Sequence, residues 1–310
     1  GEGLQFEITT TISDTISPVS RGVTDNILTG ATVTGEINFE LADFDAFELA
    51  LTSLLASDWA ADPQASGAVY PADLGTAASL YDADDMVTFT IEKRLTSIPL
   101  DSAVETDLYQ LFTGCTVDTF SLSITPNEII TGSFGFIGMG FDTPVSDRGT
   151  TYNEPGFSPV MTAPLVTGIG LFAYTSDGTQ GAPVSWLAGS CFTGLDIAVN
   201  NNGRGLVCIG TLGNVATALG RFEVAMTGSM YYVGDEPLDA LVDQTPYQME
   251  IVLTDSEANS YTIFFPRVKF ATANALVSGT NTDVMVEFTM SALVDDFRNA
   301  SMFISRNPST

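Results

Sequence analysis

The sequence predicts a mainly β chain made of two tandem β-domains, each with one short flanking helix. Three observations carry that expectation. Apolar and polar residues alternate with a period of two through most of the chain, in segments rich in Thr, Val, Ile and Phe. Only two segments suit helices. A strand–helix unit also occurs twice: "ATVTGEINFELADFDAFELALTSLL" (Ala31 to Leu55) is echoed by "VAMTGSMYYVGDEPLDALVDQ" (Val224 to Gln244). Val33-Thr34-Gly35 lines up with Met226-Thr227-Gly228, and each is followed by alternating apolar residues and an acidic, Leu-rich segment.

Taken in order, the first half reads as strands at 5–13 and 31–41, a helix at 45–56, and strands at 86–94, 116–125 and 129–138. Asp45 is the N-cap candidate of that helix, with Phe47, Leu51, Leu54 and Leu55 on its apolar face. The second half reads as strands at 192–200 and 222–233, a helix at 236–244, and strands at 247–255, 260–272 and 283–293. Pro237 suits the first turn of its helix, and "SEAN" (Ser256 to Asn259) suits a hairpin connection. The order strand, strand, helix, strand, strand, strand recurs, and an internal duplication is the simplest account. A length of 310 residues agrees with two cores. The expected domains are 1–140, with a long small-residue insertion at 56–85, and 187–310. Between them lies a linker at 141–186, rich in Gly, Pro, Ser and Thr, with a hairpin turning at Asp177-Gly178.

Composition narrows the function classes. Acidic residues number 38 against 10 basic, a formal charge of −28, and lysine is confined to Lys93 and Lys269. Such a surface repels nucleic acid and anionic membrane, so a conventional DNA binder is excluded. Adaptation to salt is a second reading of the acidity. The three cysteines, Cys115, Cys191 and Cys208, have no metal-ligand spacing and cannot all pair within one chain. The expectation is reduced, mostly buried thiols. "GEGLQFEITTT" has no basic segment followed by an apolar run, and no stretch approaches the length of a membrane helix, so membrane insertion is not expected.

Chemistry has few candidates. The chain has no histidine, which removes the commonest general base and every Ser–His or Cys–His nucleophile pair. Carboxylates are abundant, but none is marked out as a hydrolytic pair. "DADD" (Asp82 to Asp85) lacks the glycine and terminal Glu of a calcium loop. "GIG" (Gly168 to Gly170) and "GRG" (Gly203 to Gly205) lack a phosphate-binding fingerprint and are expected as turns. No catalytic, cofactor-binding or metal-ligating residue is expected, and no cofactor.

Six pieces in order along the chain carry a family resemblance: "SRGVTD", "TGEINFEL", "FTIEKR", "SLSITPNEIITGSFGFIGMG", "GLDIAVNNN" and "SYTIFFPRVKF". Together they resemble the major tail tube proteins of long-tailed bacteriophages. The 56–85 insertion and the scarcity of basic residues depart from that pattern. The resemblance implies tail-tube-type β-sandwich or barrel domains that form rings with one continuous β-lined channel. Rings stack into a tube that DNA crosses during infection, with other tail proteins at the tube ends. It implies a virion protein, assembled in the host cytoplasm, with no enzyme activity. Two domains per chain then imply trimeric rings with pseudo-sixfold symmetry, a hexamer being the alternative.

An acidic wall suits such a conduit, because cationic contacts to phosphate would retain the genome. In Gly35–Leu41, Glu36, Asn38 and Glu40 alternate with Ile37, Phe39 and Leu41, which puts both carboxylates on one sheet face. The expectation is that Glu36 and Glu40 look into the lumen or an intersubunit groove. An ordinary solvated outer face is the other reading of that strand. Two different functions also fit a β-rich acidic chain: an adhesin or fibre module binding a receptor through its long loops, and a carboxylate-dependent hydrolase.

Overall fold

Period-two alternation buries one side of a strand and leaves the other wet, so the strands gather over one core as antiparallel neighbours. A computed structural model of the chain describes residues 2–13, 25–57, 86–96, 107–144, 146, 158–166, 168–186, 191–232, 234–276, 283–297 and 300–307. The first part of the chain forms β1 (Gln5–Ile12), β2 (Asn26–Glu40), α1 (Asp45–Leu55), β3 (Phe89–Thr96), β4 (Asp107–Ile124), β5 (Thr131–Gly138) and β6 (Gly140–Asp142). Then come β7 (Gly168–Ala173), β8 (Phe192–Asn200), β9 (Arg204–Val207), β10 (Asn214–Ala218) and β11 (Glu223–Tyr231). The chain ends with α2 (Glu236–Asp243), β12 (Tyr247–Thr254), β13 (Ser260–Leu276), β14 (Met285–Ala292) and β15 (Phe303–Asn307). The protein is mainly β, as the sequence predicts.

Among the described residues, one sheet runs in the order β1-β2-β5-β4-β8-β11-β14-β13-β12-β7. Two long strands organise it. β4 pairs with β3 and β6 over its first half and with β5 and β8 over its second. β13 pairs with β12 and β15 over its first half and with β14 over its second. Pro266, which has no N–H to give, falls in the gap where β13 changes partner from β15 to β14. The pairing order β1-β2-β5-β4 is repeated as β8-β11-β14-β13, and the two runs join through β4 and β8.

Each helix follows the strand carrying Thr-Gly. α1 buries Phe47, Ala50, Leu51 and Leu54, and Phe47 meets the rings of Phe39, Phe134 and Tyr261. Phe44, with extended backbone, occupies the cap of α1 without a side-chain hydrogen bond, and Asp45 is the first helical residue. That corrects the expectation of an Asp45 cap. Pro237 does lie in the first turn of α2. Both helices end on a left-handed residue, Ala56 and Gln244. The "SEAN" turn follows Asp255, whose carboxylate accepts the amides of Glu257 and Asn259.

Other expectations need correction. Gly168–Gly170 form part of β7, and Arg204–Gly205 open β9, so neither glycine pair is a turn. Cys115 is buried, but Cys191 and Cys208 are exposed, and all three are free. The pair β9–β10 and the strand β15 were not anticipated. The turn at Asp177-Gly178 is present, with Thr179 donating to Asp177, and it returns the chain along β7 so that Val184 donates to Leu171. Residues 58–85, which include "DADD" and most of the 56–85 insertion, lie outside the described residues.

Candidate functional site

The register of the sheet places residues from seven strands on one polar face. Glu36 sits opposite Gly135, Gly135 opposite Thr119, Thr119 opposite Asn200, and Asn200 opposite Glu223. The next row on this face runs Asn38, Ser133, Ser121, Ala198, Ala225, Ser291 and Lys269. The third runs Glu40, Thr131, Ser123, Asp196, Thr227, Thr289 and Thr272. Between the charged residues the side chains are mostly short Ser, Thr and Ala, so the face is a hydroxyl-rich surface set with charges. The rows between them point inward and are apolar: Phe39, Leu122, Ile197, Met226, Met290 and Phe270 share one such row.

Glu36 and Glu40 both project from this face and are exposed, as the alternation in β2 predicts. With Asn38, Ser121, Ser123 and Ser133 they line an open groove of about 450 Å³. Gly132 also lines it, and a Cβ there would stand 2.3 Å from the Ser121 carbonyl oxygen; outside the groove, one on Gly135 would stand 2.1 Å from Thr119 Oγ1. Ser121 and Ser133 share a hydrogen bond of 2.7 Å across β4 and β5.

Sequence reasoning singled out only those two acids, yet Asp196, Glu223 and Glu287 occupy the same face on β8, β11 and β14. On β1, Glu7 lies opposite Thr32 and continues it. Against these six carboxylates the described residues of the face set Lys269, and Arg221 stands 3.4 Å from Glu223 at one end. Alternation in "GLDIAVN" and "VMVEFTM" carries part of that signal. Strand register, which alternation does not contain, is needed to bring the acids onto a single surface.

The repeated glycines have a steric role. A Cβ on Gly35 would stand 2.3 Å from Leu4 Cα and 2.5 Å from the Gly3 carbonyl oxygen. One on Gly228 would stand 2.6 Å from the Phe288 ring and 2.9 Å from the Gly194 carbonyl oxygen. Each Thr-Gly strand therefore accepts the backbone of a Gly-Leu segment, Gly3-Leu4 or Gly194-Leu195, at a distance no side chain permits.

Two polar clusters lock the first half of the chain to the second. The buried Asn201 side chain donates to the carbonyls of Leu54 (2.8 Å) and Val117 (3.1 Å), and the Asn201 main-chain N–H donates to the Asp118 main-chain carbonyl. Burial pushes the Asp118 carboxyl above its ordinary value, while the Gly203 amide, donating to it at 2.6 Å, opposes that rise. In the second cluster Tyr261 donates toward Asp43 and Glu48, and Arg306 contacts the same two carboxylates at 3.2 and 2.7 Å. Burial, together with both carboxylates, pushes the Tyr261 hydroxyl far above its usual range, so it stays a donor.

Among the described residues, no group of three or more His, Cys, Asp or Glu side chains is placed to hold a metal ion, and no helix is long and apolar enough to cross a membrane. The arrangement offers a broad, acidic, hydroxyl-rich wall backed by an apolar core. A comparison with curated proteins finds no match. A protein-family model described as "Phage tail tube protein" matches residues 4–292.

Proposed function

Because the chain belongs to the phage tail tube protein family, a structural part of the virion tail that assembles with other tail proteins, we propose that its polar sheet face is the wall of a DNA channel. Rings of this protein stack into a tube, and the face carrying Glu36 and Glu40 lines the lumen. The observation that carries this reading is the six-carboxylate face of short hydroxyl side chains, with Lys269 as its internal cation. Duplex DNA is itself a dense polyanion, so such a wall repels it and forms no phosphate contacts that would hold it at each ring. The chain then acts without catalysis; a sequence without histidine suits that role.

We read the chain as two tandem tail-tube domains, 1–140 and 187–310, joined by 141–186. The repeated pairing order and the repeated Thr-Gly and Gly-Leu contacts support that reading. Eight strands, β1-β2-β5-β4-β8-β11-β14-β13, then form each chain's share of the wall. Three chains supply twenty-four strands, which at a spacing of ~4.8 Å and a tilt of ~40° close into a barrel about 48 Å across the backbone. Two chains would give about 32 Å, too tight once side chains line both walls, and six about 96 Å, far wider than a double helix needs. Three chains with pseudo-sixfold symmetry fit best. The tube assembles in the host cytoplasm before it joins the virion.

Electron microscopy of the purified protein tests this reading. Hollow stacked rings with the Glu36 and Glu40 side chains directed at the axis are expected. Discrete, non-stacking particles that attach to cells would instead support a receptor-binding module.

A further inference from the structure

The junction inside the chain has a free counterpart at each end. Within the chain, β4 pairs with β8 from Thr119 opposite Asn200 to Ile124 opposite Leu195. β1 stands to the first Thr-Gly strand as β8 stands to the second: Gln5 lies opposite Thr34, and Asp196 opposite Thr227. β13 likewise takes the place of β4. Phe136 faces Gly35 and lies beside Val117, while Phe288 faces Gly228 and lies beside Ala273. What differs is the next neighbour. Among the described residues, no strand pairs with the outer edge of β1, or with the stretch Lys269–Leu276 of β13 on the side away from β14.

Exposure at equivalent positions shows what those edges lack. Ile197 and Val199 on β8 are 1% and 2% exposed, covered where β4 joins. Their counterparts on β1, Phe6 and Ile8, are 36% and 59% exposed. Two residues before the left-handed cap, α1 carries Leu54, 0% exposed, whose carbonyl takes a hydrogen bond from Asn201 just beyond β8. The same position on α2 is Val242, 80% exposed. An edge strand that leaves Ile8 exposed and Phe6 covered on one side by the Phe141 ring, and a helix end that leaves Val242 exposed, therefore stand at positions that are covered where the two halves meet.

We propose that β1 of one copy of this chain pairs with the free edge of β13 on a second copy, repeating the β4–β8 junction. The inference rests on the tail tube reading and adds which edges meet and in what register. Asn274 lies opposite Glu287 as Thr119 lies opposite Gly135, and Ala275 opposite Val286 as Phe120 lies opposite Phe134. Carrying the β4–β8 register across sets Thr9 opposite Asn274, Ile8 opposite Ala275 and Glu7 opposite Leu276. This pairing gives main-chain partners to Glu7–Thr9 and Asn274–Leu276, covers Ile8 and Val242, and continues the polar face from Asn274 to Thr9. The contact is head-to-tail, so it generates a closed ring when the rotation per chain divides a full turn.

Paired cysteines test the register in the assembled protein. In a Cys191→Ser, Cys208→Ser background, Thr9→Cys with Asn274→Cys and Ile8→Cys with Ala275→Cys are the matched pairs. Ile12→Cys with Asn274→Cys is displaced by three residues, about 10 Å along the strand, which is beyond disulfide reach. Within one chain the partners of each pair stand seven strand positions apart, so a bond forms between copies only. We expect at least one matched pair to link chains on oxidation at tenfold or more the yield of the displaced pair, with closed rings released as covalent circles. Rings seen by electron microscopy without matched crosslinks would overturn the register while leaving the tube reading intact. Failure to form rings at all would overturn both.

Discussion

Gly35 and Gly228 are fixed by what stands above them. At each, a neighbouring backbone fills the space of a Cβ, so substitution has to push strands apart. Gly35→Ala is expected to lower unfolding free energy by about 1–3 kcal/mol, measured by denaturant titration. Gly168→Ala, where an added Cβ meets nothing within 4 Å, is the control and should change little. The thiols give a second residue-level expectation. Burial raises the Cys115 thiol to about 11, while Cys191 and Cys208 are exposed. Near pH 8 a thiol reagent should modify two cysteines in the folded protein and reach the third only on unfolding; three fast-reacting thiols would contradict the buried placement of Cys115. Alternation along β2 made the shared face of Glu36 and Glu40 legible in the sequence, because it depends on one strand alone. The matching positions of Asp196, Glu223 and Glu287 were not legible, since they depend on which residue of each strand faces which.

At the scale of elements, the junction of α1, β4 and β8 depends on Asn201. Asn201→Ala removes two side-chain hydrogen bonds and leaves the Leu54 and Val117 carbonyls without that donor. A loss of about 1–3 kcal/mol is expected, with hydrogen exchange speeding up first at the C-terminal turn of α1. No change in α1 protection would contradict its role as a lock. Arg306→Ala leaves Asp43 and Glu48 together without their cation, and a destabilisation of similar size is expected in thermal unfolding. Most strands were visible in the sequence because their alternation reports a wet and a dry side. β4 and β13 run longer than predicted because each serves two sets of partners in succession. β9, β10 and β15 were missed because four or five residues are too few for a period-two pattern to stand out.

Over the whole molecule, the charge of −28 sets how copies approach one another. In the proposed assembly, like-charge repulsion opposes ring closure and stacking, while backbone pairing and apolar cover favour them. Raising salt from about 10 mM to 150 mM shortens the screening length from ~30 to ~8 Å, and assembly followed by light scattering should increase; a decrease would mean that attractive ion pairs hold the rings together. The Thr-Gly strand followed by a helix was legible twice in the sequence. The continuity of one sheet through both halves of the chain was not, because the β4–β8 pairing joins residues far apart in the chain whose local patterns say nothing of each other. The most direct test of the channel proposal is a reconstruction of the assembled tube at side-chain resolution. We expect three chains per ring, a twenty-four-stranded wall, and Glu36, Glu40, Asp196 and Glu287 directed at the axis. Six chains per ring would contradict the trimer, and those carboxylates on the outer surface would contradict the acidic lumen.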